Sequence, residues 1–475
     1  MNRNRWTLVA VGLATFMTYL DNNIVNVAIP DIQRELGLTT AGIEWVVSGY
    51  ILTFAGLLLA GGRLADAFGR RRLFVIGLAV FTASSLFAGL ATGAASLIAA
   101  RALQGIGAAA VTPTTLAIIS ATFTDPKERN AAVGIWGGVG ALALAVGPVL
   151  GGFLTQHISW EWIFWINVPF GIATIALGLW AVQESREDET RGLDLPGLAL
   201  STTSLFALTW ALIEGHGRGW TSTGILGAFA LSAGAALAFV VVERQVAEPM
   251  VDVSLFARRE FTGGIVALML WAFGLFGIYF FTSLYLQGVL GFSPTKAGAA
   301  FVPMAVLMAV SAVVSDRVAA RFGAYRSTAI GMVAMGLGIA STALLGKDAT
   351  YLSLMPSFAV IGIGGGLTIP LTATVLGVMP TSQAGVASAV FNASREVAGL
   401  LGITVIGAVL TGRQGHALAD GHSPVDAYLT GYRTGLVLAA VLVVAGGAAA
   451  YAALRRAHHE AVEPEATRED LVLAG

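Results

Sequence analysis

The chain has 475 residues, 56% of them hydrophobic and 12% charged, with a formal net charge of −1 and a mean hydropathy of +0.77. A soluble domain carries about a quarter charged residues, so this composition excludes an ordinary soluble enzyme and leaves little polar surface for a nucleic-acid partner. Cysteine is absent, which rules out disulfides, thiolate chemistry and cysteine-ligated metal sites.

Apolar stretches of about 20 residues, long enough to cross a bilayer as helices, occur at 7–29, 42–62, 73–92, 95–119, 131–154, 161–182, 193–213, 222–242, 261–286, 297–319, 326–345, 351–377, 383–410 and 430–453. Arg3 and Arg5 precede the first of these. It is too long for a cleavable signal and lacks a small-residue cleavage site, so it reads as an uncleaved span. With the N-terminus in the cytoplasm, nineteen of the 27 lysines and arginines fall on inside segments and six on outside ones. That bias predicts fourteen membrane helices with both termini cytoplasmic, hence an all-α integral protein of the cell membrane.

The first span carries Asp21 after thirteen uncharged residues. At a 1.5 Å rise per residue it lies about 12 Å inside the far end of a 7–29 span, where an ionised carboxylate costs about 2.5–3.5 kcal/mol. Such a group is expected to face the bundle interior and to serve in proton coupling. Thr18, Asn22 and Asn26 recur every four residues and share its polar face; Asn22 and Asn26 are read as lining the substrate cavity. The loop after span 2, GRLADAFGRRR (Gly62 to Arg72), sets Asp66, Arg70 and Arg72 at the cytoplasmic surface. There they are expected to form a conformational latch with the other half of the chain.

In span 4, Arg101 lies about 9 Å inside the outer end, at nearly the depth of Asp21. Its approach or withdrawal would change how readily that carboxylate takes a proton. Gln104 and Gly105 follow one turn on and fit a polar contact with close helix approach; Gln104 is read as lining the substrate cavity. Span 5 ends in Gly147, Pro148, Gly151 and Gly152, where proline kinks the helix and glycines admit a neighbouring backbone.

Spans 7 and 8 stand between two similar halves, because the loop after span 10, DRVAARFGAYR (Asp316 to Arg326), echoes GRLADAFGRRR in register. Asp316 therefore joins the latch set. The division predicted is a six-helix bundle at 1–182, a two-helix insert with its flanks at 183–255, a second six-helix bundle at 256–455, and a disordered tail at 456–475. Repeats of this kind place a binding site between halves near mid-membrane. Span 9 is rich in aromatic residues; Phe276 and Tyr279 are read as cavity-lining. In span 13, Asn392 is read the same way, while Arg395 and its neighbour Glu396 are further charged candidates that diverge by about 100° around the helix. No phosphate-binding loop exists, since LGKDAT around Lys347 lacks its glycine spacing, so any uphill work must draw on an ion gradient.

Taken in order, LDNNIVNVAIP, GRLADAFGRRR, RALQGIGAAAVTP, GPVLGG, WEWIFWINVP and FNASREVAGLLG make the chain resemble the major facilitator superfamily, specifically its fourteen-span drug:proton antiporters. The resemblance implies a proton-coupled exporter of amphipathic drugs, antibiotics or lipophilic cations, working as a monomer with no cofactor beyond the proton gradient. It assigns proton transfer to Arg101, allows an acid such as Glu396 after the span-13 arginine, and marks the span-5 glycines as an exporter signature. Asn23, Ala67, Ala143 and Glu161 depart from the usual residues. A nutrient or lipid transporter of the same fold, or a membrane receptor without transport, are the alternative readings.

Overall fold

The computed structural model describes residues 3–186, 192, 194–377 and 384–462. Among these residues the chain is helical throughout its ordered elements, with no strand. The first group of helices comprises α1 Arg3–Leu36, α2 Thr40–Phe68, α3 Arg70–Gly89, α4 Ala94–Thr122, α5 Pro126–His157, α6 Trp162–Trp165 and α7 Asn167–Ala181. A hairpin, α8 Leu195–Arg218 and α9 Thr223–Gln245, follows, then a short 3-10 turn at Val253–Ala257. The last group comprises α10 Arg259–Gly288, α11 Pro294–Ala300, α12 Val302–Phe322, α13 Ala324–Ala343, α14 Tyr351–Gly366, α15 Pro370–Gly377, α16 Ala384–Ala419 and α17 Pro424–Val462.

Each apolar stretch coincides with one helix or two consecutive ones. Thirteen helical stretches among the described residues are long and apolar enough to cross a membrane. The exception is α13, 20 residues diluted by Arg326, Ser327, Thr328, Ser341 and Thr342. Three spans are broken, the first at Ile166 between α6 and α7. Phe301 separates α11 from α12 just before Pro303, and Pro370 opens α15 after the break at 367–369. Proline is tolerated in a first turn because its missing N–H would have no helical partner there. The expected tail is also corrected: α17 continues to Val462, past residue 456, and 463–475 lie outside the described residues.

The echoing loops share one geometry. Gly69 alone joins α2 to α3 at φ 104°, and Gly323 alone joins α12 to α13 at φ 87°. Both conformations strain any residue with a Cβ.

Helix α1 packs against α4, α5 and α7, while α10 packs against α16 and α17, and the α8–α9 hairpin leans on α2 and α16. Between 1–182 and 256–455 the hydrogen bonds lie at the end assigned to the outside, apart from one at mid-depth. Pro30 explains part of this seam. It cannot donate to the Asn26 carbonyl, and that oxygen accepts instead from Ser283 Oγ of α10 at 2.8 Å. Gln287 Nε2 donates to the Val27 carbonyl at 2.8 Å, and Thr295 Oγ1 to the Gly152 carbonyl at 3.2 Å. The halves are joined at that end in this conformation.

Candidate functional site

At the centre of the first bundle of helices, Asp21 (α1) and Arg101 (α4) are both 0% exposed. Arg101 Nη1 donates to Asp21 Oδ2 at 2.5 Å and to Gln104 Oε1 at 2.7 Å. The other carboxylate oxygen, Oδ1, accepts from Gln104 Nε2 at 2.7 Å and from Asn167 Nδ2 at 2.9 Å. Ser85 Oγ of α3 accepts from the same two amides, at 2.6 Å from Gln104 and 3.2 Å from Asn167. Four helices thus converge on one carboxylate. The guanidinium lies 4.3 Å from the Tyr50 ring centroid and 5.7 Å from that of Phe164, where aromatic faces favour a cation. Its Nη2 has no hydrogen-bond partner.

A buried pair of this kind survives because charge is matched and lone pairs are filled; taking either partner away leaves an uncompensated charge in a low-dielectric interior. The arrangement holds one carboxylate against a guanidinium and two amide donors.

A second group lies at mid-depth between the two sets of helices. Tyr19 sits edge-on to Trp136 of α5 with centroids 6.4 Å apart, and its hydroxyl accepts from Arg395 Nη2 at 3.4 Å. Asn392, Arg395 and Gly399 share a face of α16 by their spacing, and Phe276 of α10 lies against Gly399. Asn22, Asn392, Phe276, Tyr279 and Arg395 are all half-buried. Tyr279 stacks on Phe301, centroids 4.9 Å apart. Asn26 is buried with its side-chain oxygen unpartnered.

Two expectations, for Gln104 and for the Arg395–Glu396 pair, are corrected. Gln104 does not line a cavity; it is fully buried and bonded to Asp21. Arg395 and Glu396 do meet, with Nη2 2.7 Å and Nε 3.1 Å from Glu396 Oε1, because a long guanidinium side chain curls back over the angle that separates adjacent Cβ atoms. The latch does not bridge the halves here. Asp66 Oδ1 is held by Arg70 Nη2 at 2.8 Å within its own loop, Arg72 Nε faces Glu184 Oε2 at 3.7 Å, and Asp316 is exposed with no ion pair among the described residues. The inter-segment clasp in this region is made by Arg63, which donates to the carbonyls of Gly192 at 2.7 Å, Glu248 at 3.1 Å and Pro249, tying the flanks of the α8–α9 hairpin to α2.

The glycines of span 5 are where close approach was expected. A methyl group on Gly147 would stand 3.0 Å from Asn23 Cβ, and one on Gly151 2.5 Å from the Ile24 carbonyl oxygen. Gly152 abuts the Pro294 carbonyl, and Gly298 of α11 abuts the carbonyl of Pro148. Helix α5 is thereby wedged between α1 and α11 at the outer side.

Ser85 and Asn167 are not distinguished by sequence alone. Asn167 lies within WEWIFWINVP, and a polar residue between two apolar runs was its signal. Ser85 is one of many small polar residues on membrane helices and gives none. Glu44, an acid two residues inside span 2 that is 3% exposed, was open to the same argument as Asp21.

The family model described as Major Facilitator Superfamily matches residues 11–403. The chain belongs to the Major Facilitator Superfamily. Among curated proteins, this superfamily member is 36% identical over 446 residues to the puromycin resistance protein pur8 of Streptomyces alboniger, covering 92% of this chain and 88% of that one. It is 36% identical to the multidrug resistance protein Stp of Mycobacterium tuberculosis over 86% of this chain and 76% of that one. The cephamycin export protein CmcT of Amycolatopsis lactamdurans is 38% identical over 84% of this chain and 83% of its own length. A bacterial homologue of the human lysosomal transporter Spinster, solved inward-facing and unoccupied, shares the fold with a TM-score of 0.67 at 18% identity, over 96% of this chain and 98% of that one. As a superfamily member the chain is a multi-pass membrane transporter and not an enzyme.

Proposed function

We propose that this superfamily transporter is a proton-coupled antiporter that expels amphipathic, drug-like molecules across the cell membrane, with 1–182 and 256–455 moving as two halves. The observation that carries the coupling is the sealed Asp21 site, where Arg101, Gln104 and Asn167 all donate to one carboxylate. Asp21 keeps its charge while these donors are seated. When helix movement withdraws Arg101, the carboxylate takes a proton, and return of the arginine ejects it. The direction of transport is supported by relatives named for puromycin resistance, tetracenomycin C resistance and export, and cephamycin export. The half-buried group Tyr19, Trp136, Asn392, Arg395 and Phe276 offers aromatic faces and polar tips suited to such a molecule.

The test is transport in proteoliposomes with puromycin as the probe. Addition of puromycin to the side facing the cytoplasmic surface should drive proton movement in the opposite direction. Asp21→Asn protein should insert and bind puromycin but move no protons; a variant with undiminished drug-driven proton flux overturns the assignment. Movement of protons and drug in the same direction would indicate symport and overturn export.

A further inference from the structure

Glu44 sits on α2 four residues after the helix begins at Thr40, at the outer end where α2 meets α16. It is 3% exposed, and it makes neither a hydrogen bond nor an ion pair among the described residues. Its carboxyl group lies against α16 at Gly407. A methyl group there would stand 2.7 Å from the Glu44 carboxyl carbon and 2.8 Å from Oε2. The contrast with the other buried acids is the point. Asp21 has three donors and Glu396 has Arg395, whereas the carboxyl of Glu44 has the backbone of α16 at Gly407 beside it, which in mid-helix offers no free N–H.

The charged and titratable groups on the elements around it are otherwise engaged or at the surface. On α8, Glu214 accepts from Trp45 Nε1 at 3.2 Å and from Arg218 Nε at 3.2 Å, and His216 rests against Gly415 of α16. On α16, Arg413 and His416 are exposed. On α1, Asp31 pairs with Arg34 and Glu35 accepts from Trp160. On α4, Arg101 is bound to Asp21, and the arginines of α3 lie at the opposite, cytoplasmic end.

We propose that Glu44 is a second proton-binding site, loaded from the outer medium, whose neutral form is required for the α2–α16 seam to close. An unpaired carboxylate cannot be buried without heavy cost, so closure carries a proton with it. When the seam parts, Glu44 meets outside water and releases that proton. The closed state binds more protons than the open one, so lowering the pH favours closure. One such proton changes the closed-to-open ratio by about tenfold per pH unit between the two binding affinities.

The chain has no native cysteine, so spin labels on Thr40→Cys and Leu418→Cys of the full-length protein in lipid nanodiscs can report the seam by distance distributions across a pH series. In the parent protein the closed fraction should fall as pH rises. Glu44→Gln should stay closed at high pH, with the slope reduced by about one proton, that is about tenfold per pH unit, and Glu44→Asp should restore part of the slope. A Glu44→Gln titration that superimposes on the parent overturns the proposal. So does a loss of slope in the double variant His216→Gln, His416→Gln with Glu44 intact. Should Glu44→Gln not fold, Gly407→Ala, which pushes the carboxyl off α16, is expected to open the seam at a pH where the parent is closed; parent-like closure in that variant also overturns it. The proposal is separate from the role of Asp21. Asp21→Asn should retain the Glu44-dependent slope even though coupled transport is lost, and active Asp21→Asn transport would refute the coupling role while leaving the seam titration standing.

Discussion

At the scale of single residues, the Asp21 cluster is a set of mutually dependent contacts, and its parts should fail unequally. Arg101→Ala leaves a buried carboxylate without its cation, which costs about 3–5 kcal/mol. Asn167→Ala removes one of three donors and should cost about 1–3 kcal/mol. Thermal unfolding in detergent should rank them in that order. The double variant Asp21→Asn, Arg101→Gln should recover much of the stability lost by Arg101→Ala alone, since no lone charge remains. Equal destabilisation by the single and double variants would count against a charge-matched pair. This is also where the sequence was most readable. Asp21 and Arg101 announce themselves because a charge within an apolar run is expensive, and matching depth on two helices suggested that they meet. Gln104 was placed on the wrong surface, because an amide one turn from Arg101 can satisfy either a cavity or a buried carboxylate. For Arg395 and Glu396, Cβ directions point to divergence, an argument that fails for a side chain long enough to fold back.

At the scale of elements, the span-5 glycines fall into two physical kinds. Gly151 and Gly152 lie against the backbones of α1 and α11, while Gly134 has nothing near its missing side chain. Gly151→Ala and Gly152→Ala should therefore push α5 off its neighbours and shift the labelled outer seam toward open. Gly134→Ala should leave the seam unchanged and stabilise the helix by up to about 1 kcal/mol. Identical behaviour of all three in distance measurements would remove the wedge role of α5. Helix existence was legible from apolar length alone, and the pairing of the loops at Gly69 and Gly323 from their echoing sequences. Helix ends were not: α1 runs to Leu36 and α16 to Ala419, because amphipathic extensions beyond the hydrocarbon carry charges that a search for apolar runs discards. The breaks at Phe301 and before Pro370 were hidden for the opposite reason, since an apolar run does not reveal where its hydrogen-bond ladder is interrupted.

At the scale of the whole molecule, the energetics of the proposed proton coupling set how many protons one transport cycle needs. One proton entering down 100 mV releases about 2.3 kcal/mol, and one pH unit adds about 1.4 kcal/mol. Together these sustain roughly a few hundred-fold accumulation of a neutral solute per proton. For a monovalent cation exchanged one for one the electrical part cancels. A membrane potential imposed at equal pH should therefore drive export of a neutral probe but not of a monovalent cation, unless a second proton moves. Tracer flux under a potassium diffusion potential measures this directly.

The outer seam is stitched largely from main-chain oxygens: Asn26 and Val27 to α10, Gly152 to Thr295, Pro148 to Gly298. Such a fastening is indifferent to which side chains face the hollow a few turns deeper. Descendants of this chain are thus free to revise what they recognise while inheriting the same hinge, and cargo preference can drift without the machinery of opening having to be reinvented.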